Sequence, residues 1–169
     1  DAHYLNPAAI SFLKNYHFGF AYKSERPGLE NPTNAYNVVV IDNSPEKVLS
    51  ASFGYLYLRQ SSPERTIYDQ DLSLSVSAKV LPTTSIGLHG RRLIRSNSNG
   101  PAFTKHNLSF GVLVVPAPFL GLAFVAYDIL NDDDLDMIPK LSIGSHVVIL
   151  DLLRIRADVT RQEKKNTEK

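Results

Sequence analysis

Six ionisable side chains share the polar face of segments in which apolar residues occupy every second position. They are Lys79, His89, Arg91, Arg154, Arg156 and Asp158. On a strand such side chains point away from the apolar face and lie beside the small residues that alternate with them. A face of this kind can line a water-filled lumen, where cations attract anions and oppose the passage of a bare hydrocarbon chain. We interpret the six residues as candidates for such a lining.

The sequence carries no recognisable catalytic or metal-binding motif. Its five histidines are scattered, without the i, i+4 spacing or the nearby cysteine of a zinc site. It contains no Gly-x-Ser-x-Gly elbow, phosphate loop or dinucleotide fingerprint. We therefore predict a protein that is not an enzyme and that holds no metal or cofactor.

An acidic stretch at 131–136 (NDDDLD) superficially suggests a calcium loop. It lacks the glycine required at the sixth position, which is Asp136, and the glutamate required at the twelfth, which is Ser142. We interpret it as a solvated loop, with loose contact to a divalent ion as the alternative.

Composition excludes several classes of protein. The 169 residues carry 18 Lys and Arg against 17 Asp and Glu, so a nucleic-acid binder that works through a strong basic field is excluded. The absence of cysteine excludes a disulfide framework. A hydrophobic content of 43% excludes a disordered chain and predicts one ordinary domain.

Alternation with a period of two residues recurs along most of the chain and predicts an all-β protein. The clearest case lies near 69–80, where Leu72, Leu74 and Val76 alternate with serines. Only the beginning predicts a helix, since Asn6 can cap a turn whose first residue is Pro7. We count about nine strands, at 17–23, 36–42, 48–60, 67–80, 84–95, 104–115, 120–130, 138–150 and 152–160.

The connections and the strand lengths favour an antiparallel up-and-down transmembrane β-barrel. Short turns at 43–47, 81–83, 116–119 and 150–152 alternate with longer polar connections at 24–35, 61–66, 96–103 and 131–137. Outer-membrane barrels have short turns at one end and longer loops at the other. Several strands reach 11–13 residues, which is enough to cross a bilayer at a tilt. The uncharged stretch from Phe110 to Tyr127 is predicted as two strands joined by a turn, because Pro116 and Pro118 oppose a spanning helix.

Barrel geometry sets further expectations about faces and completeness. A polar lumen places apolar side chains towards lipid, namely Leu72, Leu74, Val76, Phe110, Val112 and Phe124, and polar ones inward, namely Ser73, Ser75, Ser109 and Arg154. Bacterial single-chain barrels have an even number of strands, so about nine cannot close alone. We expect residues 1–169 to be one domain of a longer barrel that lacks sequence at both ends, with a lead-in at 1–15 and a charged loop at 161–169.

The opening residues, Asp1-Ala2-His3-Tyr4-Leu5-Asn6-Pro7-Ala8-Ala9, resemble the segment ending in Asn-Pro-Ala of FadL-like outer-membrane transporters and of the related PorV/PorQ-like barrels. The stretches 80–88, 139–144 and 153–159 are similar in style to the same superfamily. The resemblance implies a bacterial outer-membrane barrel in a Gram-negative envelope, with lipid around it. It further implies that Asn6, Pro7 and Ala8 belong to a hatch that gates the passage of hydrophobic small molecules; a plain helix start is the alternative.

Charged residues on the polar face depart from the apolar passage of such transporters. They fit a PorV-like barrel equally well, that is, a non-catalytic scaffold or carrier subunit of an envelope secretion or motility complex. A soluble β-sandwich that acts as a binding module is the third interpretation. The sequence therefore predicts lipid, a hydrophobic ligand or an envelope complex as partners, and no nucleic acid.

Overall fold

The computed structural model describes residues 6–13, 15–25, 32–43, 48–62, 64–130, 139–149 and 153–162, with the side chains of Arg154 and Gln162 excepted. A six-residue 3-10 helix (Pro7–Phe12), the amino-terminal helix, precedes nine strands. These are β1 (Asn15–Glu25), β2 (Thr33–Asn43), β3 (Leu49–Ser61), β4 (Thr66–Leu81), β5 (Thr84–Asn97), β6 (Gly100–Ala117), β7 (Leu120–Tyr127), β8 (Lys140–Ile149) and β9 (Leu153–Gln162). The predicted all-β class is confirmed. Within the described ranges no helix has the length and apolarity needed to span a membrane.

All nine strands form one antiparallel sheet in which every strand pairs with its neighbours in sequence. The predicted up-and-down order is therefore confirmed. The sheet does not close: in the described part of the chain β1 and β9 are its two edges. Because β1 and β9 are separated by an even number of reversals, they run in the same direction.

The amino-terminal helix forms for the local reasons that the sequence predicts. Asn6 has an extended backbone, and its side-chain oxygen accepts a hydrogen bond from the amide of Ala8, which is the geometry of an N-cap. Pro7 occupies the first helical position, where a missing N–H costs nothing. Leu13 returns to the extended region and ends the helix.

The two faces of the sheet have opposite polarity, and on β3 to β6 the polar face is the more buried one. On β4, Leu74 is 56% exposed whereas the adjacent Ser75 is fully buried. The same alternation holds for Leu72 and Val76 against Ser73 and Ser77. A soluble sheet buries its apolar face, so this arrangement is inverted relative to a soluble β-protein.

The sheet curves so that its polar face is concave. One cavity on that face is lined by Asn37 of β2 and by Tyr127 of β7. A flat sheet would separate these two strands by about 24 Å. Because both strands reach the same cavity, the polar face is the inner wall of a curved sheet, and we call the two faces inner and outer.

The expectation of a long polar connection at 96–103 is wrong. β5 continues to Asn97 and β6 begins at Gly100, so Ser98 and Asn99 alone make the turn. Polar residues at successive positions suggested a loop. Both faces of this hairpin tip are open to water, so a strand there can be polar on both faces. The strict alternation of short and long connections therefore fails at this position, because the turns Pro82–Thr83 and Pro118–Phe119 are equally short.

The ends of the predicted segments also need correction. Arg161 and Gln162 belong to β9 and not to the charged loop predicted at 161–169; residues 163–169 lie outside the described residues. In the predicted lead-in at 1–15, residues 6–13 contain the helix, and residues 1–5 and 14 are outside the described part. The acidic stretch 131–136 is outside it as well.

Candidate functional site

The amino-terminal helix lies on the inner face, against β2 to β6. Six residues of the sheet receive it, and we call them the helix seat: Asn43, Ser50, Ser77, Ser85, Gly87 and Gly111. They lie near the end of the sheet that carries the Pro82–Thr83 turn. Most of the helix is buried there: Ala8 and Ile10 are fully buried, whereas Ala9 and Phe12 are partly exposed.

Two serines of the helix seat hold the carbonyl oxygen of Ala8. The Ser77 hydroxyl donates to it at 3.2 Å and the Ser85 hydroxyl at 2.6 Å. Since the Ser77 proton is used in this bond, the 2.5 Å contact between Ser77 Oγ and Ser11 Oγ has Ser11 as donor. These bonds satisfy a buried backbone carbonyl that would otherwise be costly.

Asparagine side chains fasten both ends of the helix. The amide nitrogen of Asn6 donates to the carbonyl oxygen of Val112 on β6 at 3.4 Å. At the other end, the amide nitrogen of Asn43 donates to the carbonyls of Ser11 and Leu13. Ser50 donates in turn to Asn43 Oδ1 at 2.5 Å. The helix is therefore bound through its backbone, and its position does not depend on large apolar side chains alone.

Two glycines let the helix approach the sheet so closely. A Cβ atom at Gly87 would lie 2.5 Å from the amide nitrogen of Ala8 and from the carbonyl carbon of Pro7. A Cβ atom at Gly111 would collide with Asn6 Oδ1 and with the ring of Pro7. The space beside Gly87 and Gly111 on the polar face is therefore occupied by the helix.

A second polar region, the polar cavity, lies farther from the Pro82–Thr83 turn and encloses about 400 Å³. It is lined by Asn37, Leu56, Asp71, His89, Arg91, Asn107, Ser109, Tyr127 and Asp128. Arg91 forms an ion pair with Asp71 at 2.5 Å. Asp71 is only 3% exposed, and its other oxygen, Oδ1, has no hydrogen-bond partner within the described residues. A carboxylate so placed depends on Arg91 for its stability in the fold.

Hydrogen bonds around the polar cavity orient its remaining groups. Ser75 Oγ and His89 Nδ1 are 2.8 Å apart. Because Ser75 is fully buried, this pair does not offer a nucleophile to a molecule in the cavity. Asn107 donates to Asp128 at 2.8 Å, and this aspartate has a left-handed backbone (φ 55°) that turns the chain at the end of β7.

Of the six residues predicted to line a lumen, five lie at inner-face positions of the described sheet, namely Lys79, His89, Arg91, Arg156 and Asp158, and they do not form a ring of bare cations. Arg91 is paired with Asp71, and Arg156 is paired with Asp158 at 2.6 Å. The ammonium group of Lys79 lies 5.0 Å from the ring centre of Phe12 in the amino-terminal helix. The backbone of Arg154 is in β9, and its side chain is outside the described part.

Sequence reasoning included Asp158 but missed the anionic partners Asp69 and Asp71, and it missed the helix seat. Asp69, two residues before Asp71 on the same face of β4, pairs with Arg95 through two bonds of 2.6 and 2.7 Å. Alternation places Asp71 on the polar face, but nothing local marks it as the partner of a residue twenty positions later. In the described ranges no three histidine, aspartate or glutamate side chains are grouped as a metal site would need.

Comparison of the chain with models of protein families, with curated proteins and with solved structures found no significant match.

Proposed function

We propose that this chain forms the wall of a bacterial outer-membrane β-barrel, with lipid on its outer face and a plugged lumen on its inner face. The observation that carries the proposal is the inverted polarity of the sheet. A soluble protein rarely leaves a continuous apolar patch of more than a few hundred Å² exposed. A barrel in lipid requires such a patch.

Register extends the exposed apolar surface across the sheet. Phe18, Val40, Phe53 and Leu74 are direct cross-strand partners on β1 to β4, and all four are exposed. They form one apolar row perpendicular to the strands, with further rows on either side. The described sheet leaves the apolar surface of these rows exposed. Burial of that surface in hydrocarbon would remove it from water, which is favourable.

An aromatic row supports an interface between water and lipid. Tyr22, Tyr36 and Tyr57 lie side by side on the outer face, with ring centres 4.9 and 6.2 Å apart. Just beyond them the guanidinium of Arg59 lies 5.9 Å from the ring centre of Tyr68. Tyrosine and arginine with this placement are typical of the level at which a barrel leaves the hydrocarbon.

A closed barrel needs more than the described sheet, because β1 and β9 each present an unpaired edge. The proposed barrel therefore includes further strands between these two edges. Pairing of both edges also removes the exposed backbone groups that would otherwise promote aggregation.

The helix seat supports a gated passage as the first form of this function. Asn6, Pro7 and Ala8 lie inside the curved wall, fastened by hydrogen bonds to strands that are distant in sequence. In the proposal they act as a plug, as the resemblance to FadL-like transporters implies, and release from the helix seat admits a small hydrophobic molecule.

A PorV-like scaffold or carrier subunit of an envelope complex is the second form, and the polar cavity favours it. The Arg91–Asp71 pair in its lining, with the Arg95–Asp69 pair beside it on the inner face, penalises hydrocarbon. A barrel that only presents loops to a partner needs no apolar route through its lumen.

The class of protein is tested by gel migration of the full-length protein from membranes. A closed barrel resists detergent until it is boiled, so boiled and unboiled samples should migrate differently. Identical migration, together with recovery in the soluble fraction, would refute the barrel. The two forms are then separated by replacing Asn6 and Pro7: altered uptake with normal insertion supports the gated passage, whereas unaltered uptake with a co-purifying envelope complex supports the scaffold.

A further inference from the structure

A groove of about 390 Å³ lies on the outer face over Gly90 of β5. Phe53, Leu72 and Leu74 form its apolar wall, and Arg92 and His106 lie beside them. The groove is open because residue 90 is glycine. A Cβ atom there would meet nothing closer than the carbonyl oxygen of Leu74, at 4.0 Å.

Arg92 and His106 are direct cross-strand partners on this face, and both are exposed. Side chains directly opposite each other start from Cβ atoms about 5 Å apart, so both can reach one small group. The described residues in register around them on the outer face are Leu72, Gly90 and Leu108, none of which is acidic. Among the described residues neither side chain has a hydrogen bond or an ion pair. Within the described part of the chain the pair is therefore a guanidinium and an imidazole without an anion.

The pair lies at the edge of the apolar band. Arg92 is eight residues along β5 from Thr84, which is about 26 Å of strand. With the usual tilt of about 40° this corresponds to about 20 Å across a membrane, close to the apolar height of about 25 Å of such barrels. Towards the Pro82–Thr83 turn the outer face of β5 continues with Leu88 and Ile86. In the other direction it continues with Ile94, whose cross-strand partners, Gln70 of β4 and Thr104 of β6, are polar.

We propose that this groove binds one anionic membrane phospholipid, its phosphate held by Arg92 and His106 and an acyl chain laid along Phe53, Leu72 and Leu74. The inference rests on the proposed membrane barrel and names one of its lipid partners. The planar guanidinium matches two phosphate oxygens, and the imidazole N–H supplies a further donor. An arginine without an anion is unfavourable against hydrocarbon, whereas at headgroup depth a phosphate neutralises it.

The experiment uses the full-length protein in a neutral detergent, with phosphatidylglycerol and phosphatidylcholine as probes. Native mass spectrometry counts the lipid molecules that stay bound. One cation beside an anionic lipid favours binding about fivefold, so the protein should retain phosphatidylglycerol at least about fivefold better than phosphatidylcholine. The double variant Arg92→Gln/His106→Gln should lose this preference, whereas Arg65→Gln, which removes an exposed charge in the β3–β4 connection, should keep it.

A second variant tests the acyl part of the site. Gly90→Val fills the groove and should weaken retention of both lipids, whereas Ala51→Val, on the outer face of β3 and away from the groove, should not. Unchanged preference in Arg92→Gln/His106→Gln, or competition by inorganic phosphate as strong as that by phosphatidylglycerol, would overturn the lipid site. Unboiled gel migration checks each variant for folding. If the unaltered protein shows no boil-dependent migration, the barrel itself is wrong; normal migration without lipid preference overturns this inference alone.

Discussion

The hydroxyl of Ser85 donates a 2.6 Å hydrogen bond to the carbonyl oxygen of Ala8, which joins the amino-terminal helix to β5 across 77 residues of sequence. Ser77 binds the same oxygen from β4. Serine is an unusual choice for a strand interior, and on β4 three serines in alternate positions are buried. The helix explains one of the three, because Ser77 satisfies its backbone. Ser73 donates instead to the carbonyl oxygen of Gly54, and Ser75 is bonded to His89.

The close approach at Gly87 predicts that a single methyl group unseats the helix. Gly87→Ala should destabilise the helix seat by about 1–3 kcal/mol, because the new Cβ would lie 2.5 Å from backbone atoms of Pro7 and Ala8. The chain has no cysteine, so Ser11→Cys provides a single buried reporter. We expect thiol labelling to be slow in the reporter background and fast after Gly87→Ala. Gly19→Ala is the matched control, since its Cβ would meet only Val39 O at 3.9 Å; equal labelling rates in both variants would contradict the prediction.

Capping by Asn6 gives a second, smaller prediction. Asn6→Ala removes the bond to the Ala8 amide and the bond to Val112, and should destabilise the helix by about 1 kcal/mol. Limited proteolysis near the amino terminus should accelerate while barrel migration on gels stays normal. Asn34→Ala removes an exposed side-chain bond to Tyr22 and should leave the proteolysis rate unchanged. A variant Asn6→Ala as resistant as the parent would show that the cap does not hold the helix.

If the outer face contacts lipid, the free-energy cost of an arginine substitution there should depend on its depth in the bilayer. Val76 pairs with Leu88, about midway between the Pro82–Thr83 turn and the Arg92–His106 pair, and therefore lies near the middle of the proposed apolar band. Val76→Arg should impair assembly by about 2–4 kcal/mol, whereas Gln70→Arg, on the same face of β4 near the end of that band, should cost about 0–1 kcal/mol. Assembly of both variants into lipid vesicles gives the comparison. Equal cost at the two depths would contradict lipid contact.

Ser75→Arg is not a neutral control for that experiment, although sequence alone suggests that the polar face tolerates arginine. Ser75 is fully buried and bonded to His89, so no space for a longer side chain exists there. We expect Ser75→Arg to fail through overpacking. Normal assembly of Ser75→Arg would contradict this expectation, because it would require space for a long side chain around Ser75 on the inner face.

Breaking the buried ion pair at the polar cavity should destabilise the protein more than breaking the exposed ion pair on β9. Asp71→Asn removes a carboxylate that is 3% exposed and leaves Arg91 without its partner, which should destabilise the protein by about 1–3 kcal/mol. Asp158→Asn breaks a pair whose side chains are both open to solvent, and should change stability by less than about 0.5 kcal/mol. Urea unfolding of the refolded variants measures both. Equal changes in the free energy of unfolding would show that burial does not determine how much these ion pairs stabilise the protein.

Much of the fold follows from local sequence because alternation is a local property. In any strand that contains them, the side chains of Leu72 and Leu74 lie on one face and that of Ser73 on the other. Neighbouring residues therefore determine the number of strands and the polarity of each face. The helix start at Asn6 and Pro7 is equally local, since the cap needs only the next two residues. Around Ser98 and Asn99 consecutive residues are polar and show no alternation. Local sequence therefore could not distinguish a loop from a hairpin tip there.

The site required the tertiary structure, because its partners are distant in sequence and meet only through strand register. A shift by one residue between β4 and β5 would move Arg91 off the inner face and leave Asp71 without a cation. Likewise, nothing near Gly87 or Gly111 indicates that the amino-terminal helix lies against them. Periodicity determines which face a residue occupies; only the pairing of strands and the packing of the helix decide which residues meet on that face.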